Sequence, residues 1–232
     1  MINEWPPLYK VKRHRRARHV RLRASEPHGL EITVPYRFNL RELPSILEEN
    51  KGWIEKQLAK LTLRQPDILP QKIELHACSE SWTISYLNLD KKIDMMPRHH
   101  LKEIIIIGNI DDKAGCKAKL IEWLRNQAKL YLPDLLNSVS DSMQLQYEKV
   151  TIRDQKTLWG SCTIEKVINL NYKLLFLPLH LVRHIMIHEL SHTVHLNHST
   201  NFWNLVAKYD AAWKDHRREL RKADDFIPQW VK

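Results

Sequence analysis

The segment His188-Glu189-Leu190-Ser191-His192 holds two imidazoles four residues apart, with a carboxylate beside the first. On a helix, positions i and i+4 share one face and lie about 6 Å apart along the axis, so both rings can offer a nitrogen to one cation. Zn²⁺ suits such a pair. It takes imidazole nitrogens at about 2.0–2.1 Å, and catalytic sites use three protein ligands and leave a fourth position open. Glu189 lies too far around the helix to join the two rings, and is placed instead to take a proton from a water on the ion. The third ligand has four candidates: His195, His198, Asp210 and Glu219. His195 would sit a turn further along the same helix, where three rings do not easily meet at one ion. His198 follows Asn197, a residue tolerant of left-handed backbone and frequent at helix ends. A chain that turns there folds His198 back over the pair. The reading is therefore His188, His192 and His198 as metal ligands, with Glu189 as catalytic base.

These side chains need a helix behind them. Leu181, Val182, Ile185, Met186, Leu190 and Val194 surround the two histidines at helical spacing, which predicts a helix from near Pro178 to about His195. A last amphipathic helix over 201–223 places Phe202, Val206, Tyr209, Trp213 and Leu220 on one side. Upstream, 147–154 and 167–174 read as strands, joined through Trp159-Gly160-Ser161-Cys162. A long helix is expected from about 111 to 136, broken near Pro133. Residues 72–75, 82–86 and 103–107 read as strands, and Asn39 as the cap of a helix to about Leu61. From 8 to 35 the alternation suits a β-hairpin, turned at Ser25-Glu26-Pro27-His28-Gly29.

The composition, 43% hydrophobic with eight Trp in 232 residues, is that of an ordered globular chain. The N-terminal stretch lacks a secretory apolar segment and no run approaches about 18 uncharged apolar residues, so a cytoplasmic protein without membrane contact is expected. Cys78, Cys116 and Cys162 are widely spaced and read as reduced thiols. Net charge is +10, and 10–23 holds eight Lys/Arg with no acid. Such a field attracts polyanions, which makes Arg15, Arg16, Arg18 and Arg21 candidates for nucleic-acid contact. A solvated basic strand face is the competing interpretation.

RDQKTLWGSCT, then INLNYKLLFLP, then HELSHTVHLNHSTNFW together resemble the YgjP-like metallopeptidase family, a minimal gluzincin-type group also similar to SprT-like and WLM proteases. The family pattern, HExxH, five residues, then His and a nearby Phe-Trp, falls on His188, Glu189, His192, His198, Phe202 and Trp203. The resemblance implies zinc on three histidines and Glu189 as base. One departure is Leu158, where Arg is expected before Trp-Gly-Ser-Cys. The implied fold class is α+β: a basic N-terminal lobe over 1–110 with a hairpin or small sheet and a helix, then a zincin-like lobe over 111–232. That second lobe carries a small sheet, the HExxH helix and a final packed helix.

Trp159, Gly160 and Ser161 are expected to border the cleft, where an extended polypeptide substrate could add as a strand and Gly160 would permit close approach. A nucleophilic Ser161 or Cys162 is the weaker alternative, since no GxSxG elbow surrounds them. Asn169 and Asn171 share a strand face, with Asn171 a substrate candidate and structural hydrogen bonding the stronger expectation. Tyr172, Arg183, His195, Tyr209 and His216 remain open as donors to a developing oxyanion. The leading expectation is a zinc metallopeptidase. Its rivals are a metal-dependent hydrolase of nucleotide phosphoanhydrides and a non-enzymatic, zinc-stabilised nucleic-acid-binding protein.

Overall fold

Leu30, Ile32 and Val34 are fully buried while Glu31 and Thr33 between them are not, a period-two pattern that makes this segment the centre of a sheet covered on one face. The sheet comprises β1 (Tyr9–His14), β2 (Arg21–Ser25) and β3 (Gly29–Pro35), in the order β1-β3-β2. The expected hairpin is present as the antiparallel β2–β3 pair, with β1 added in parallel on the other side. The computed structural model describes residues 5–25, 29–62 and 68–232, so the Glu26-Pro27-His28 part of the expected turn lies outside the described residues. Asn39 caps a 3-10 turn, accepting from Arg41 N, and is followed by α1 (Leu43–Glu49) and α2 (Lys51–Thr62). Two helices stand where one was expected, because Asn50 interrupts the run and its side-chain amide donates to Ile46 O. Leu43, Leu47 and Ile54 fill the covered face of the sheet.

This first compact unit is Met1–Pro66, and the second is Asp67–Lys232. The boundary expected near residue 110 thus falls inside the second unit. The reason is a shared core. β4 (Lys72–Leu75), β5 (Glu80–Asn88), β6 (Asp94–Arg98) and β7 (Glu103–Gly108) form a sheet in the order β4-β5-β7-β6, and its buried Ile73, Leu75, Ile104 and Ile106 pack with Leu120, Leu124 and Ala128 of α3 (Lys113–Met143). Trp82 of β5 meets Trp123 of α3 edge to face at 4.8 Å, and the Tyr131 hydroxyl donates to Ala77 O at 2.6 Å.

The long helix runs straight through Pro133 instead of breaking there. Proline in a helix interior costs about 3 kcal/mol. Burying Leu136, Val139 and Met143 beyond it, each 2% exposed or less, contributes about 1.5–3 kcal/mol apiece. Packing wins.

The elements that frame the histidines follow. β8 (Lys149–Arg153), β9 (Gly160–Cys162) and β10 (Val167–Asn171) form a small sheet with β10 in the middle, parallel to β8 and antiparallel to β9. The strand expected to reach 174 ends at Asn171, where a 3-10 turn takes over through Phe176. α4 (Leu179–Ser191) carries the first histidines, with Leu181, Val182, Met186 and Leu190 fully buried. Two helices, α5 (Thr200–Tyr209) and α6 (Trp213–Glu219), then a 3-10 turn over Leu220–Phe226, replace the single helix expected for 201–223. The whole is mixed α+β. Among the described residues, no helix is long and apolar enough to cross a membrane.

Candidate metal centre

α4 ends one residue before His192, which serves as its C-cap, so the second histidine stands where the chain leaves the helix. The chain then reverses within seven residues. Asn197 is not among the residues with positive φ, so the reversal does not use the left-handed turn expected there. Instead Ser199 caps α5, its hydroxyl accepting from Phe202 N, and this anchors His198 immediately outside the new helix. His188, His192 and His198 come together with their ligand nitrogens all within 4.8 Å of one another. His198 Nε2 lies 3.0 Å from His188 Nε2. Two nitrogens on a tetrahedral zinc ion with bonds of about 2.05 Å would be about 3.3 Å apart, so the observed spacing is close to what a shared ion needs.

The rings are also in the right chemical state. His192 Nδ1 donates to the backbone carbonyl of His195 at 3.0 Å, which fixes its tautomer and leaves Nε2 with the free lone pair. Burial, followed by the neighbouring His192 and His198, pushes the His188 imidazolium down to about 3, so that ring is neutral. Burial is also the first cause of the lowered pKa of His192. Neutral imidazoles are what a cation requires. Phe202, fully buried, holds the three rings from one side, its centroid 4.9, 4.6 and 4.8 Å from those of His188, His192 and His198. Trp203 stacks on His198 at 5.6 Å and on Trp213 at 4.4 Å. The Phe-Trp pair thus clamps the third histidine. The donor set, three imidazole nitrogens with His198 exposed, fits a zinc-type ion.

Glu189 occupies the turn between His188 and His192 and is only 6% exposed. Burial raises its carboxyl to about 8. Its neighbour across the cleft is the first residue of β9: a Cβ placed on Gly160 would come within 2.8 Å of Glu189 Cγ and 2.9 Å of Oε1. The absence of a side chain at 160 is what gives the carboxylate its place. Sequence reasoning assigned this glycine to substrate approach and did not foresee that the nearest group would be Glu189.

The other substrate candidates divide. Trp159 is half-buried and its carbonyl accepts from Asn171 N at 2.9 Å. Ser161 Oγ belongs to a ladder, accepting from Asn169 Nδ2 while Thr151 donates to Asn169 Oδ1. Asn171, expected to touch substrate, is 2% exposed; its amide donates to Gln155 O and Leu158 O and its carbonyl accepts from Lys173 N. It holds the loop leading into β9. Burial, with Glu189 second, holds the Cys162 thiol up to about 11, so it stays protonated near neutrality and is no thiolate nucleophile. Of the oxyanion candidates, Tyr172 is buried with Arg125 over its ring, the Tyr209 hydroxyl donates to Met143 O, and His216 is bound to Asp210.

That last pair belongs to a group missed from sequence. His184 is 3% exposed and binds Asp210 Oδ2 through Nδ1 at 2.6 Å, and His216 Nδ1 binds the same oxygen at 2.9 Å. Asp210, considered earlier as a third metal ligand, instead closes the break between α5 and α6 onto α4. The recurrence of histidine at 180, 184, 188 and 192 was the available signal, since all four lie on one helical stripe. Asp210→Ala strands one buried imidazole, His184, and one half-buried, His216, and we expect it to lower stability by about 2–4 kcal/mol in urea unfolding.

A family model described as YgjP-like, metallopeptidase domain, matches residues 18–223. The chain belongs to this family. It is therefore a metal-dependent peptidase domain, and the expected YgjP-like resemblance holds over most of the sequence. Among solved structures, the crystal structure of the metallopeptidase zymogen of Pyrococcus abyssi abylysin is similar at 27% identity, covering 39% of this chain and 91% of that one, with a TM-score of 0.36. No curated protein matches the chain.

Proposed function

We propose that the chain is a zinc-dependent peptidase in which His188, His192 and His198 hold the ion and Glu189 moves the proton. The observation that carries this reading is the convergence of three ring nitrogens within 4.8 Å, with Glu189 on the intervening turn. When bound, a zinc ion acidifies water and polarises a carbonyl oxygen. The rest falls to the chain. Glu189 takes a proton from the attacking water and returns it to the departing amine, and burial, by raising its affinity for a proton, favours the first of these transfers. Phe202 and Trp203 keep solvent from the inner side of the rings. β9 lies at the edge of its sheet, so the backbone of Gly160, Ser161 and Cys162 can pair with an extended polypeptide beside Glu189. Trp159, at the entrance to β9, would border the same peptide.

The test is cleavage of casein by protein stripped with a chelator and then reloaded. Activity should vanish on stripping and return with one equivalent of Zn²⁺ per chain. His198→Ala should bind zinc roughly a hundredfold more weakly. Cleavage that persists in fully stripped protein, or zinc affinity indifferent to His198, would remove the proposal.

A further inference from the structure

Charge in the first unit is sorted by secondary structure. Residues 40–62, spanning the 3-10 turn, α1 and α2, carry four Lys/Arg (Arg41, Lys51, Lys56, Lys60) and four acids (Glu42, Glu48, Glu49, Glu55). Residues 9–25, spanning β1, the connecting turn and β2, carry eight Lys/Arg and none. A segment charged only to stay hydrated would be as balanced as the helices beside it. This one is not.

The topology concentrates the imbalance. β1 and β2 are the two outer strands, so their cations lie on either side of β3. Register then sets them in rows on the face away from the buried Leu30, Ile32 and Val34: Lys10 and Arg23 flank Glu31, and Lys12 and Arg21 flank Thr33. Glu31 is the one acid of that face, and Lys12 Nζ already pairs with it at 2.8 Å. Arg15, Arg16 and Arg18 extend the field as exposed side chains of the turn from β1 to β2. Arg13 is different, since its guanidinium donates to the carbonyls of Tyr36 and Phe38.

We propose that this face binds the phosphodiester backbone of double-stranded nucleic acid without regard to sequence. The two cationic rows are two strand spacings, about 9–10 Å, apart, and cations within a row recur about every 6.8 Å. Arginine, the majority type, offers its forked donors to phosphate oxygens. The outward side chains are Lys10, Lys12, His14, Arg21, Arg23, Glu31, Thr33 and Pro35. None is aromatic, and the exposed Tyr36 ring just past β3 has the Arg15 guanidinium over it, so unpaired bases would find no row of stacking platforms there, which favours a duplex over a single strand. Half-buried Pro35 is the one apolar side chain among them, so an anionic lipid surface would gain charge but little insertion. The proposal does not depend on the peptidase reading.

The test uses the full chain with labelled duplex of about 30 base pairs, the matching single strand, and vesicles rich in anionic lipid, from about 50 to about 200 mM salt. The duplex should bind more tightly than either alternative. Its log affinity should fall steeply with log salt. Replacing Arg15, Arg16, Arg18 and Arg21 together with Ser should weaken binding at least roughly tenfold and reduce the slope by about 3.6, near 0.9 per lost phosphate contact. Lys51→Ser with Lys56→Ser, on the balanced helices, should change neither. Circular dichroism checks folding. If the fourfold variant unfolds, Arg15, Arg16 and Arg18 alone, all in the exposed turn, should still remove about 2 to 3 of the slope. No duplex binding at the lowest salt, tighter binding to vesicles or to the single strand, or an unchanged slope in the folded variant would each overturn the proposal.

Discussion

Glu189→Gln should leave a folded, zinc-binding protein that no longer cuts polypeptide. Glutamine keeps the shape of the side chain in a site 6% exposed but cannot take a proton, and general acid–base catalysis typically contributes about 10²–10⁴-fold. We expect kcat on casein to fall about 10³–10⁴-fold, with metal content unchanged because Glu189 is not among the three converging nitrogen ligands. Stability should not drop, since burial already penalises the charged carboxylate that the amide replaces. The loss therefore separates catalysis from folding. A variant retaining more than roughly a tenth of wild-type turnover would show that another group moves the proton.

Gly160→Ala should act on the same carboxylate from the opposite wall. The added methyl would stand 2.8 Å from Glu189 Cγ and 2.9 Å from Oε1, closer than side chains tolerate. The group that must yield is a buried side chain met at its Cγ, so the cost in stability should be about 1–3 kcal/mol. The rate falls too, because displacement of a reacting group by about 1 Å can cost about 10²-fold. We expect kcat to fall about 10–100-fold with zinc affinity unchanged and KM little altered. The decisive measurement is the double variant. In a Glu189→Gln background, Gly160→Ala should have almost no further effect, since both act through one carboxylate. Full additivity would mean that Gly160 serves substrate directly.

The convergence of the three histidines was legible because it is local. His188, His192 and His198 lie within eleven residues, and helical periodicity alone puts the first two on one face. What spacing does not encode is pairing across the chain. Asp210 meets His184 from 26 residues away, and nothing between them announces that a carboxylate will interrupt the last helix to reach it. Gly160 was noticed as a place where substrate could approach closely, whereas its nearest neighbour is Glu189, 29 positions on. Pro133 was read as a helix breaker because its local cost is visible in sequence and the burial of Leu136, Val139 and Met143 is not. β6 was missed for a related reason. Its Asp-Met-Met-Pro-Arg has weak strand character, and Pro97 is tolerated because the strand lies at the sheet edge. The boundary after Pro66 was invisible because the meeting of Trp82 with Trp123 joins segments that composition does not distinguish.

β9 is three residues long, about 10 Å, and the groups it offers are amides and carbonyls. If a substrate adds at β9 as proposed, so short a template would be completed only by a chain whose own backbone is unengaged. A protein in its native conformation has already satisfied those groups elsewhere and must open locally before it fits. Susceptibility would then follow the free energy of that opening, so linkers, frayed ends and damaged or incompletely folded chains would be consumed while stable domains survive. Discrimination would come from the victim's own instability more than from any letter of its sequence.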